Sequence, residues 1–335
     1  SNLQPDLIWA KSRTSTSYTD NHFLVDSSRG RLKGLTPNLA NAETTTSGNT
    51  SENDLLSFDT DGFTVGIVNS TAALNTLDAS LVGWQWKANG GTTSSNTDGS
   101  ITSTVQANTT AGFSIVTYTG NSTAGATIGH GLGAVPQMII VKRRNSNNRD
   151  WAVYHKEVGN TKYLQLNETD AEIDSDAYWN DTTPTSSVFT VGTGNNSRVN
   201  AGTLLAFCFA EKQGYSKFGK YIGNGNSGNT GAFVFTGFKP NFVMLKETGN
   251  PNSWWMFDTK RDPFNTADAR LAANTSDAEA TGSFTNVVNF LSNGFKIKNS
   301  DSAWNRSGGT YIYMCFAENP FVTSDTGGSI PTTAR

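Results

Sequence analysis

One set of residues recurs at identical spacing in three places: Leu35-x-x-Asn38-x-x-x-Ala42-Glu43, Leu164-x-x-Asn167-x-x-x-Ala171-Glu172 and Leu271-x-x-Asn274-x-x-x-Ala278-Glu279. A carboxylate kept at one position three times suggests acid–base catalysis or metal binding. Glycoside hydrolysis, however, needs two carboxyl groups about 5–10 Å apart, and a calcium site needs several oxygen ligands. Each copy supplies one lone glutamate. The block therefore reads as structural, with Asn bonding its own backbone in a turn and Glu satisfying nearby amides. No catalytic residue, metal ligand or cofactor site is assigned.

The other reactive side chains are few. His22 and His155 stand at repeat positions that hold Trp or Asp elsewhere, and His130 sits in the turn Gly129-His130-Gly131. No serine elbow, Cys–His arrangement, phosphate loop, dinucleotide fingerprint or HExxH helix accompanies them. Cys208 and Cys315 lie in matching runs, Phe-Cys-Phe-Ala-Glu and Met-Cys-Phe-Ala-Glu. Equivalent positions in two copies do not lie side by side, so both are read as free, buried thiols. Asp170 to Asp176 and Asn299-Ser300-Asp301 lack EF-hand spacing and read as solvated loops. The positive binding signal is aromatic. Tyr178 and Trp179 in the polar stretch 176–183, and Trp304 in 301–307, are candidates to stack on a sugar or to form an interface.

The elements that must position these residues repeat with them. Proline opens an apolar lead strand three times: Pro5 to Lys11, Pro136 to Lys142 and Pro240 to Lys246. Proline is tolerated at a strand's first residue, and Lys11, Lys142 and Lys246 are expected to carry their ammonium groups out to water. A second strand begins with a ring and ends on a polar residue: His22 to Asp26, Trp151 to His155, Trp254 to Asp258. The Asn/Glu block follows, then a strand at Asp61 to Val65, Ser187 to Val191 and Asn293 to Ile297. A closing strand ends each copy, at Leu81 to Trp86, Leu204 to Phe209 and Ile312 to Phe316, with both faces expected to be buried.

The second and third copies also carry an opening strand, Phe113 to Asn121 and Lys220 to Asn224. The first copy lacks one, since the chain opens at Ser1 without a methionine, and an upstream continuation is expected. The sheet edge beside Leu7 to Lys11 should then be open and filled by other residues. Gly90 to Gly99 reads as a linker, Ser100 to Gln106 as a strand pairing with Phe113 to Tyr118, and Thr323 to Arg335 as a surface tail.

The expected fold class is all-β: three tandem β-sandwich (jelly-roll-like) modules of short strands and long Gly/Asn/Ser/Thr loops. They span residues 1–91 (lacking the opening strand), 92–213 (with an N-terminal linker or hairpin) and 214–335 (with the tail). Only 16% of the 335 residues are charged and the net charge is −3, which argues against a nucleic-acid partner. No stretch approaches the roughly 20 apolar residues of a membrane span.

The run Gly112 to Asn121, the following Ile128 to Gly133, the Pro-led strand ending in Lys142-Arg143 and the closing Phe-Ala-Glu resemble a repeat of marine bacteriophage virion proteins, described as tail-fibre or lectin-like. The likeness spans nearly the whole chain, including Pro331 to Arg335. It departs most in the first copy, with Trp84-Gln85-Trp86-Lys87 where the others have Phe-Ala-Glu and with no opening strand. It implies a virion component, located on the particle surface, and a β-sandwich module, and it carries over no catalytic residue. The expected function is a non-catalytic tail fibre or spike for assembly and host attachment. Its expected partners are other virion proteins, further copies of itself (a trimer favoured) and a host-surface glycan. A capsid decoration protein and a polysaccharide depolymerase are the alternatives.

Overall fold

A computed structural model describes residues 3–14, 21–45, 55–66, 74–75, 79–193, 199–280 and 286–319. The chain is nearly all β, with 45% strand against 4% helix, arranged in many antiparallel sheets. The tail from Thr323 to Arg335 lies outside the described residues.

Three main sheets are built on the three lead strands. The first orders Phe23–Asp26, Leu7–Ser12 and Leu81–Trp86. The second places Ala152–His155, Met138–Arg143, Ala201–Phe209 and Phe113–Asn121 side by side, and the third does the same with Trp255–Asp258, Pro240–Glu247, Thr310–Ala317 and Ser216–Ile222. Registers repeat across the three. Leu7 faces Trp86, Met138 faces Phe209 and Phe242 faces Phe316. Beyond the opening strand the second sheet continues into Ser103–Asn108, the pairing expected from sequence, and Ser94–Asn96, a short strand inside the stretch read as a linker.

Alternation sends successive side chains of a strand to opposite faces, yet every residue of Leu7–Ser12 is buried. The two faces enter different cores. Leu7, Trp9, Met138, Ile140, Phe242 and Met244 join one central cluster to which all three copies contribute. The opposite faces enter three separate clusters under small sheets. Ile8 and Ala10 pack with Leu55, Ile139 and Val141 with Ile128 and Phe189, and Val243 and Leu245 with Val234 and Phe295.

The lysines correct the expectation made for them. Lys11, Lys142 and Lys246 share the alternation of Leu7 and Trp9 and point toward the centre, each at most 1% exposed. Lys11 Nζ donates to the Ser12 carbonyl at 2.7 Å and Lys246 Nζ to the Thr169 carbonyl at 3.1 Å. Lys142 Nζ donates to the Arg149 carbonyl and lies over the Trp151 ring, 5.5 Å from its centre.

The open edge is also not where the sequence suggested. Leu7–Ser12 has a neighbour on each side, Phe23–Asp26 and Leu81–Trp86. Opening strands pair with closing strands, so the missing one leaves Leu81–Trp86 at the edge among the described residues. Gly83 and Gln85 are accordingly exposed, against the two-sided burial expected.

The repeated asparagines act over a longer range than a turn. Oδ1 of Asn38, Asn167 and Asn274 accepts from the backbone N–H of His22, Trp151 and Trp254 at 2.8–2.9 Å. Nδ2 of each bonds the side chain just before that residue: Asn21, Asp150 or Ser253. Each Asn thus fixes the start of the second strand. Asn167→Ala should orphan the buried Trp151 N–H and cost about 1–3 kcal/mol of unfolding free energy. A urea midpoint equal to that of the unaltered protein would show that Asn167 carries no such role.

Candidate functional site

The glutamates and first-ring residues meet at the contacts between copies. Backbone N–H of Glu43 donates to the Arg144 carbonyl, that of Glu172 to Thr248 and that of Glu279 to Arg13, at 2.7–2.8 Å. Arg13, Arg144 and Thr248 each stand two residues beyond the lead-strand lysine. The first copy therefore bonds the second, the second the third, and the third returns to the first. Side chains repeat the circuit. Trp151 Nε1 donates to the Thr36 carbonyl at 3.3 Å, Trp254 Nε1 to Gln165 at 2.8 Å and His22 Nε2 to Ala272 at 3.0 Å. Each acceptor is the residue after the conserved-spacing leucine of the preceding copy, in cyclic order. A head-to-tail contact that returns to its start makes a closed ring.

Two of the three contacts carry an ionic chain. Arg29 Nε pairs with Asp26 at 2.5 Å and its Nη1 with Glu43 at 2.6 Å, while Glu43 also accepts from Arg144 Nε at 2.7 Å. Arg261 pairs with Asp258 at 2.6 Å and Glu279 at 2.8 Å, and Glu279 is gripped by Arg13 at 2.8 Å. The spacing Asp-x-x-Arg after the second strand, at Asp26/Arg29 and Asp258/Arg261, was the sequence signal for these arginines. The second copy has His155 and Val158 there, and Glu172 pairs with Lys162 at 2.6 Å. Burial opposes charge on Glu43, but Arg144 and Arg29 outweigh it and hold the carboxyl below its ordinary range.

The imidazoles are fixed as neutral tautomers. Nδ1 of His22 accepts from Trp9 Nε1, that of His155 from the Glu157 amide and that of His130 from the Leu132 amide. Each Nε2 is then the donor, to Ala272, Tyr313 and Thr185. Burial pushes His22 and His155 down to about 3. Cys208 and Cys315 are free and buried, and burial raises both thiols.

The aromatic candidates correct another expectation. Tyr178, Trp179 and Trp304 are 5%, 1% and 0% exposed and offer no open ring face. Each sits in a four-residue helical turn, Asp176–Trp179 or Ser302–Asn305, capped by Ser175 or Asp301. Tyr178 stacks on Tyr163 at 3.5 Å, Trp179 meets Tyr154 edge-on, and Trp304 packs on Trp255 and Phe257. Polar loop composition hid turns that fold an apolar ring into the outer cores. Of the three tryptophans expected in the core from their place on a repeat strand, Trp151 and Trp254 are buried and Trp255 is half-buried.

An open groove of about 250 Å³ lies beside the edge strand Leu81–Trp86, where the first copy meets the third. Val82, Trp84, Trp86, Phe242, Phe316 and Lys260 line it. Asp258, also on its wall, accepts from Trp84 Nε1 at 3.1 Å besides its pair with Arg261. No group of three His, Cys, Asp or Glu suited to a metal occurs among the described residues. No helix among them is long and apolar enough to cross a membrane.

Burial holds Lys246 down to about 8 from an ordinary 10.5. Between these values the unfolded chain keeps a proton that the folded chain has released, so stability rises with pH. Lys246→Met should stabilise the fold by about 1–3 kcal/mol below pH 8, with the gain fading to nothing by pH 10.5. A gain independent of pH would refute a charge penalty there. Glu43→Gln should cost about 3 kcal/mol by leaving the buried Arg29 with one carboxylate. Denaturant unfolding at neutral pH measures it, and a loss under 0.5 kcal/mol, the scale of a surface pair, would contradict the assignment.

Residues 1–320 match the model of a family described as a domain of unknown function (DUF7483), and the chain belongs to that family. No curated protein and no solved structure matches it.

Proposed function

We propose that this member of the DUF7483 family is a non-catalytic structural or binding component of a bacteriophage virion, a tail fibre or spike used in assembly and host attachment. In this reading the chain is three β-sandwich modules, each a main sheet with its small sheet, closed into a ring about one core. The observation that carries it is the use made of the repeated polar residues. The Asn, Glu and first-ring positions are engaged in hydrogen bonds that fix strands or join one copy to the next. The repeat thus serves construction. The virion assignment itself draws on the sequence resemblance of Gly112 to Asn121 and the closing Phe-Ala-Glu runs.

The ring bears on oligomerisation. Head-to-tail contacts that a trimer of single copies would use are already filled within one chain, so a homo-oligomer would meet through other surfaces. Decoration of a capsid is the same reading at another place on the particle.

Antibody labelling of purified particles in the electron microscope tests the proposal. Label at the tail tip or fibres is expected, and label over the shell would move the chain to capsid decoration. Absence of the chain from particles by mass spectrometry would overturn the virion reading. Release of new reducing ends from host capsule by the purified chain would replace it with a depolymerase.

A further inference from the structure

Two repeat positions supply a side chain to each contact between copies: the first-ring residue and the last residue of the second strand. The first ring reaches the preceding copy, from Trp151 to the first, from Trp254 to the second and from His22 to the third. The last residue serves the contact with the following copy. Asp258 accepts from Trp84 of the first copy at 3.1 Å, and His155 Nε2 donates to the Tyr313 carbonyl of the third at 3.2 Å. Asp26 holds Arg29, which joins it to Glu43 and Arg144 of the second copy. Each contact made by the third copy thus contains one imidazole. The contact between the first and second copies has Trp151 and Asp26 at the same two positions.

Both imidazoles are buried, and each has both nitrogens committed. Nδ1 of His22 accepts from Trp9 Nε1 at 2.9 Å, and its Nε2 donates to the Ala272 carbonyl at 3.0 Å. Nδ1 of His155 accepts from the Glu157 amide at 3.2 Å. A proton added to either Nδ1 would point at an N–H, so neither ring can carry charge while its contact is closed. Among the described residues no free carboxylate offsets such a charge. The groups acting on His22 are the cations Lys11 and Arg261. Asp258 and Glu279 of the same contact are taken up by Arg261 and Arg13, and Asp26 by Arg29. Lys156 acts on His155. Glu157 and Glu211, which act on Tyr313 beside it, are paired with Lys220, Lys156 and Lys217.

We propose that the third copy is an acid-released module, which a fall in pH frees from both neighbours in one step while the first and second copies stay joined. Its inner face, with Phe242, Met244, Trp254 and Phe316, lies in the cluster shared by all three copies. Moving off one neighbour uncovers that face from the other, so the two contacts open together. Burial holds both closed-state imidazoles down, whereas a ring released to water titrates near its ordinary value of about 6.5. Closure is therefore at full strength above that pH. Below it the open form takes up protons that the closed form refuses, and each imidazole favours opening about tenfold more per pH unit.

Hydrogen exchange of three backbone amides in the 335-residue chain reads the contacts separately. The Glu43 amide reports the first contact, Glu172 the second and Glu279 the third. From pH 7.5 to 5.5, after correction for intrinsic rates, Glu172 and Glu279 should each lose about 100-fold in protection, tenfold for each histidine. At pH 5.5 the Glu43 amide should stay at least about tenfold better protected than either. Equal protection at all three would make the opening global and overturn the proposal. His22→Gln and His155→Gln each keep one donor and one acceptor and take up no proton in this range. Either variant should reduce the loss at both Glu172 and Glu279 to about tenfold. An unchanged loss in both variants would refute the histidines as the switch. A reduction confined to Glu279 in His22→Gln would refute release in one step.

Discussion

Each lead strand is apolar on both faces, and its own copy covers only one of them. A small sheet closes over Ile8 and Ala10, or their counterparts Ile139 and Val141, or Val243 and Leu245. The other face, with Leu7 and Trp9 and the residues matching them, finds cover only against the other two copies. Burying a large apolar side chain is worth about 1.5–3 kcal/mol, and several per copy depend on the neighbours. Three copies in one chain meet that need without the concentration dependence of a trimer.

Apolar packing leaves the order and register of the three copies loosely specified, and the polar contacts around the core supply both. A ring N–H at His22, Trp151 or Trp254 reaches backbone carbonyls of one neighbouring copy. A rotated or reversed copy would bury those donors without acceptors, at the cost of unmet polar groups in an interior. The Asp–Arg–Glu–Arg chains are weaker as a source of net stability, because desolvating charges opposes their attraction. Their strength is as a filter. Where the second copy has His155 and Val158 in place of Asp and Arg, the backbone bond from Glu172 to Thr248 is kept. The main-chain closure is thus the common element and the ion pairs an addition to it.

How much of this was legible depended on whether the signal was local. Strand order, the Pro-led starts, the hairpin before Phe113 and the free cysteines follow from periodicity and repeat position alone. The burial of Lys11, Lys142 and Lys246 was present in the alternation Leu7, Trp9, Lys11, but a terminal lysine suggests solvent unless the strand's second face is known to be covered. Asn38 and its equivalents were recognisable as a repeated feature, while their partners, 16 to 20 residues earlier, belong to the tertiary fold. Tyr178, Trp179 and Trp304 misled for the converse reason. Their neighbours are polar, and nothing in so short a segment separates a capped helical turn from an exposed loop.

The first closing strand differs from its counterparts on both faces, and the differences fit an edge. Outward positions that hold Ala206 and Cys208, or Tyr313 and Cys315, all buried, hold Gly83 and Gln85 in the exposed strand. Central positions that hold Phe207 and Phe209, or Met314 and Phe316, hold the larger Trp84 and Trp86. Both indoles are buried in the central cluster, and Trp84 anchors itself on Asp258. Proteins usually blunt a free edge with proline, lysine or a bulge. Leu81–Trp86 has none of these among its residues, and its pairing with Leu7–Ser12 runs without a register shift. Among the described residues the strand therefore stands at a sheet edge, straight and able to pair.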